Sequence, residues 1–116
     1  MAERAVIPNA DEAIIPPEKV RDYLLSASQP VGRFKAVFFY SLGYTVADWE
    51  RLEADFRALL TLGAETGERT EYGQKYVLRG RITGPAGKGA EVVMIWIILE
   101  GESRPRLITA YPGGQI

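Results

Sequence analysis

Two groups of residues in this sequence have the types and spacing to handle an anion. The first is Gly32-Arg33-Phe34-Lys35-Ala36, which sets two cations at the start of an otherwise apolar helical stretch. Cations at a helix N-terminus oppose the macrodipole and gain nothing from it. They are placed either to pair with an acid such as Glu18 or Asp22, or to meet an anion from elsewhere. The second group is the polar face of a strand pattern. Lys75, Arg79 and Arg81 alternate with Tyr76, Leu78, Gly80 and Ile82, and Arg106, Thr109 and Tyr111 follow near the end of the chain. A row of cations can hold phosphate oxygens, and it can equally guard a sheet edge against self-pairing. Tyr72-Gly73-Gln74 leads into the basic strand and adds a phenol and an amide.

Other chemistry is narrowed by what is missing. The sequence has no histidine and no cysteine. That removes the commonest general acid–base and metal ligand, together with disulfides, thiolate nucleophiles and Cys-ligated zinc. Catalysis would fall to Lys, Arg, Tyr, Asp or Glu. No serine sits in a nucleophile elbow, and none has a histidine partner. Gly84-Pro85-Ala86-Gly87-Lys88-Gly89 departs from a Walker loop and joins two strands, so it reads as a hairpin turn. Asp48, Glu50, Glu53 and Asp55 wrap around a helix as a solvated face, so no metal site is expected, and no cofactor motif is present.

The elements that must position these residues can be read from periodicity. The run Glu91-Val92-Val93-Met94-Ile95-Trp96-Ile97-Ile98-Leu99-Glu100 is too short to cross a bilayer and is rich in β-branched residues, so it predicts a strand in mid-sheet, covered on both faces. Residues 1–16 read as an extended lead-in held out of helix by Pro8, Pro16 and Pro17. Pro17 suits the first turn of a helix that carries Val20, Tyr23 and Leu24 inward and stops near Ser28, ahead of Pro30. A second helix from Val31 or Gly32 to Leu42 carries Phe34, Val37, Phe38 and Leu42, with Gly43 as a left-handed stop. Thr45 and Asp48 form the start of a third, with Trp49, Leu52, Phe56, Leu59 and Leu60 on one face and Gly63 at its end. From Ala64 onward the period becomes that of strands.

The fold class expected is α+β: about three N-terminal helices packed on an antiparallel meander of three to four strands. At 116 residues the chain predicts one domain, 1–116, with lead-in and helices over 1–63 and the sheet over 64–112. The net charge of −1 provides no global steering field, but it is unevenly spread. Residues 1–68 hold seven Lys/Arg against eleven Asp/Glu, and 69–116 hold seven against four, which makes the sheet half the basic one. Met1-Ala2-Glu3-Arg4 lacks a basic segment followed by an apolar one, so a cytoplasmic location without membrane contact is expected.

Several segments also resemble a known group. Pro8-Asn9-Ala10-Asp11, Pro17-Glu18-Lys19, Tyr23-Leu24-Leu25, Pro30-Val31-Gly32-Arg33-Phe34-Lys35-Ala36, Phe38 and Gly43 carry the likeness in the first half. Glu71-Tyr72-Gly73-Gln74-Lys75-Tyr76, Trp96 and Pro105-Arg106-Leu107-Ile108-Thr109-Ala110-Tyr111-Pro112 carry it in the second. Together they resemble a family of small uncharacterised bacterial domains, found alone or at the C-terminal ends of toxin-like proteins. More distantly the chain is similar to barnase/RelE-like ribonuclease toxins, in which a basic or His residue on a helix faces the last strands. Lys35, Thr109 and Tyr111 match those positions in type, while Gln29 stands where the family pattern carries His.

The resemblance implies an RNA-cleaving domain. Lys35, Tyr111 and Tyr72 would be its catalytic groups, and Arg33, Arg79, Arg81, Gln74 and Thr109 its substrate-binding groups. The alternative it leaves open is a non-catalytic protein-interaction module, one half of a toxin–antidote pair. The expected partners are accordingly RNA or a cognate antidote protein, with a homodimer covering the apolar strand as a further option.

Overall fold

The computed structural model describes residues 4–25 and 33–113, the side chains of Tyr23, Arg33 and Phe34 aside. The expected end of the first helix near Ser28, and Gln29 with its following link, lie outside the described residues. Three helices precede four strands, as the α+β expectation has it. Helix α1 begins at Pro17–Lys19, with the proline in its first turn, and continues as a π-helical turn over Val20–Leu24. The Leu25 N–H reaching the Val20 carbonyl at 3.0 Å marks the wider turn. Helix α2 spans Arg33–Ser41 and α3 spans Trp49–Leu59.

The strands are β1 (Glu65–Thr70), β2 (Gly73–Thr83), β3 (Gly89–Leu99) and β4 (Arg106–Pro112), in one antiparallel sheet of order β1-β2-β3-β4. Strands β2 and β3 pair without a break from Gly73↔Leu99 to Thr83↔Gly89. The β3–β4 register slips by one residue at Ile108, between the pairs Ile95↔Thr109 and Trp96↔Leu107. The lead-in is tied to both ends of the sheet half. Ala5 bridges Ala64 just before β1, and Ile14 bridges Arg106 in parallel at the start of β4.

One face of the sheet meets the helices. Leu78, Val92, Met94, Trp96, Leu107 and Ala110 join Val20, Leu24, Phe39, Leu52 and Phe56 in a single buried cluster. Phe39 stands edge-on to Phe56 at 5.9 Å between ring centres and to Tyr44 at 6.4 Å. Val93 and Ile97, on the opposite face, are also buried but lie outside that cluster. The central strand thus carries buried residues on both sides, with Ile95 only half-buried on the second.

Two local expectations are corrected. Leu42 is buried and Phe38 packs half-buried on the core, as expected of the second helix, but Val37 is 59% exposed, and Ala36 and Phe39 are the fully buried positions within α2. Almost every side of this helix is apolar, so the sequence offers two competing stripes, and contact with Phe56 and Tyr44 selects the one containing Phe39. Gly63 is not the stop of α3, which ends at Leu59. It is small because a side-chain carbon there would lie 2.8 Å from Cβ of Arg4 in the lead-in. Gly43, by contrast, is the left-handed stop of α2 (φ 101°), with the Tyr44 N–H bonded to the Phe39 carbonyl.

Candidate functional site

Helix α2 lies against edge strand β4, and this brings together residues far apart in the chain. The half-buried Lys35 Nζ donates to Thr109 Oγ1 at 3.0 Å. Two fastenings hold the helix at that distance. The Tyr40 hydroxyl donates to the Leu25 carbonyl, tying α2 to the end of α1. At the other end the Ala86 N–H, on the β2–β3 hairpin tip, donates to the Leu42 carbonyl at 3.0 Å. Neither fastening is visible in the sequence pattern, because Tyr40 and Ala86 sit in stretches with no polar motif.

Thr109 faces Ile95 across the sheet, and Ile95 faces Val77. In the next row on the same face Tyr111 stands opposite Val93, which stands opposite Arg79. Paired residues of an antiparallel sheet share a face, with strands about 4.8 Å apart. The Tyr111 and Arg79 backbones are therefore about 10 Å apart, within the combined reach of a phenol and a guanidinium. Thr109, Tyr111 and Arg79 share the face away from the main core, over a floor of Val77, Val93 and Ile95, and Lys35 reaches the edge strand of that patch through Thr109. That floor is the part of the patch that a search for polar residues passes over.

The remaining candidates are distributed differently. Arg81 occupies the next row, opposite Glu91, and its guanidinium lies along Gly89, where a side-chain carbon would come within 2.9 Å of it. Among the described residues neither Arg79 nor Arg81 takes part in an ion pair. Lys75 is 3.9 Å from Glu68, and Arg106 is bonded to Glu102 at 3.2 Å. Arg33 begins α2, two residues before Lys35, and its side chain is not among those described. Asp22, offered by the sequence as a partner for these cations, is bonded to Arg21 at 3.0 Å instead.

Two residues are separated from the patch. Gln74 pairs with Ile98, on the face opposite to Lys75, and its amide donates to the carbonyls of Gly67 and Lys75 where β1 bulges. It fastens two strands. Tyr72 sits in the β1–β2 turn, where its carbonyl accepts the Glu100 N–H. Counted along β3 from Val93, that places it about 20 Å from Tyr111.

Outside the patch, one ionisable group is strongly perturbed. Tyr44 is buried, and burial first, then its hydrogen bond to Asp55 at 2.5 Å, raise its phenol well above the usual range. Asp55 also accepts from Arg51 at 3.2 Å, so this trio ties the end of α2 to α3. Among the described residues there is no cluster of acids fit to hold a metal ion, and no helix is long and apolar enough to cross a membrane.

No curated protein matches the sequence. In three dimensions the chain is similar to one in a contact-dependent growth inhibition toxin–immunity protein complex from Klebsiella pneumoniae 342. The TM-score is 0.69 at 17% identity, covering 91% of this chain and 97% of that one. At that identity the likeness is one of fold. A family model fits residues 6–114, nearly the whole sequence, and the chain therefore belongs to the family described as a domain of unknown function, DUF6883.

Proposed function

We propose that this domain is the RNA-cleaving member of a toxin–immunity pair, acting through Lys35, Thr109, Tyr111 and Arg79. The observation that carries the reading is the Lys35–Thr109 contact, which holds an ammonium beside a phenol-bearing strand. The fold-level likeness to a chain of a toxin–immunity complex supports the biological setting. A ribose 2′-hydroxyl attacks the adjacent phosphorus and the P–O5′ bond breaks, leaving a cyclic phosphate and a free 5′-hydroxyl. Lys35 and Arg79 stabilise the charge that builds on the phosphoryl oxygens. The Tyr111 phenol gives its proton to the departing 5′ oxygen, and water takes the proton of the attacking hydroxyl. Arg81 and Arg33 extend the cationic surface along the RNA backbone.

The test is the integrity of total RNA on a denaturing gel after incubation with purified protein, beside Lys35→Ala. Cleavage by the parent alone, with both proteins melting cooperatively, is expected. Intact RNA with the parent overturns the reading. It would leave the second one, a non-catalytic module that binds a cognate protein, which rests on the same likeness to a chain from a toxin–immunity assembly.

A further inference from the structure

Strand β2 is longer than the strand beside it. Its residues 73–77 are covered by β1, whose register ends at Glu65↔Val77, and residues 79–83 continue beyond. Which backbone groups this leaves open follows from the hairpin. The Gly84 N–H donates to the Lys88 carbonyl, and the Glu100 N–H donates to the Tyr72 carbonyl. Even-numbered residues of β2 therefore bond to β3, and hydrogen bonding alternates along an antiparallel pair. The N–H and C=O of Arg79, Arg81 and Thr83 point the other way, and no described residue bonds to them. Five residues at about 3.4 Å each make an edge of about 17 Å, the length of an ordinary strand.

The side chains along this edge define what can add to it. On the face away from the core stand Arg79, Arg81 and Thr83, all exposed. Between β2 and α3 runs a groove lined by Ala58, Leu59, Leu62 and Ile82, with Asp55 at its wall and Arg81 and Thr83 bordering it from the edge, and with Leu62 itself 43% exposed. A second copy is a poor occupant. Antiparallel pairing of β2 with itself about Gly80 keeps both cores on one side but sets Arg79 directly opposite Arg81, and like charges in that position are destabilising.

We propose that residues 79–83 form a docking edge for an extended segment of a partner protein that alternates acidic and apolar residues. Its acids face Arg79 and Arg81, its apolar residues enter the groove beside Leu59 and Leu62, and its backbone completes the ladder. The edge does not depend on RNA cleavage, although an added strand would also mask Arg79.

The probe is a short blocked peptide of alternating glutamate and valine, added at up to millimolar concentration to the labelled full chain and followed by amide NMR. Shifts and slowed exchange at Arg79, Arg81 and Thr83 are expected, with no response to a lysine–valine peptide. Replacing both cations (Arg79→Gln with Arg81→Gln) should weaken binding by about three- to tenfold, the worth of two cross-strand charge pairs. Arg81→Pro deletes one edge donor without touching the β3 ladder and should abolish binding. The proposal is overturned if those amides do not move, if the lysine peptide binds as well, or if they shift with protein concentration alone. The last result would give the edge to a second copy. None of these readouts involves RNA, so loss of the edge and loss of the cleavage reading are separate results.

Discussion

The ammonium of Lys35 and the hydroxyl of Thr109 are 74 positions apart in the chain and 3.0 Å apart in space. One belongs to a helix in the acidic half, the other to the last strand of the basic half. A lysine stem has several rotatable bonds, and a fixed acceptor removes much of that freedom. Thr109→Val preserves shape and strand preference while removing the acceptor. RNA cleavage should fall by about tenfold, the lower end for a hydrogen bond to a charged group. The melting temperature should change little, and rates measured against RNA concentration will show whether the loss is in kcat.

Tyr111 and Tyr72 are separated by the length of the sheet, and so should respond differently. Tyr111→Phe removes the proposed proton donor and should slow cleavage by about 100-fold, within the range for a positioned acid. Tyr72→Phe removes a hydroxyl from an exposed turn and should leave the rate unchanged. Equal losses in the two variants would mean that the phenols act on folding and not on the reaction.

The buried Tyr44 phenol makes an alkaline prediction. Its folded pKa lies above the ordinary value of 10.0, so above that pH the unfolded chain releases a proton that the folded chain keeps. Proton binding then favours the folded state less as pH rises, and stability, fully present below pH 10.0, declines above it. Tyr44→Phe should lose about 1 kcal/mol at neutral pH through the missing bond to Asp55. Its stability should also fall less steeply above pH 10.0 than that of the parent. Urea titrations at neutral and alkaline pH measure both effects.

Gly43 is both left-handed and crowded. A side-chain carbon there would lie 2.4 Å from the Ala86 nitrogen. Gly43→Ala should cost about 2 kcal/mol or more, combining backbone strain with displacement of the hairpin tip. Thermal denaturation gives the magnitude.

What the sequence disclosed depended on whether a pattern had one reading. Strand β3 and helix α3 were legible because their periodicity admits no rival: an unbroken β-branched run, and a stripe of Leu52, Phe56 and Leu59 against charged residues. Helix α2 reads with Phe34, Val37, Phe38 and Leu42 inward, and the burial of Ala36 and Phe39 in place of Val37 is decided only by the packed neighbours. Strand β1 was covered only by the general change to a strand-like period from Ala64, with no bounds of its own. Glu65-Thr66-Gly67-Glu68-Arg69-Thr70 buries none of its residues and is held by backbone pairing to β2. The polar patch was half legible. Alternation put Arg79, Thr109 and Tyr111 on one face, but Gln74 has the opposite parity and Tyr72 lies beyond the strand's far end.

The hairpin of residues 84–89 carries no chemistry of its own, yet its tip is bolted to the last turn of α2 through Ala86 and Leu42. Nine residues of helix, about 13 Å, separate that bolt from the start of the segment bearing Lys35. The hairpin therefore acts as the adjusting screw of a lever. Changing its length would raise or lower the ammonium against β4 without altering one residue of the patch, so relatives that differ only in this loop need not share an activity.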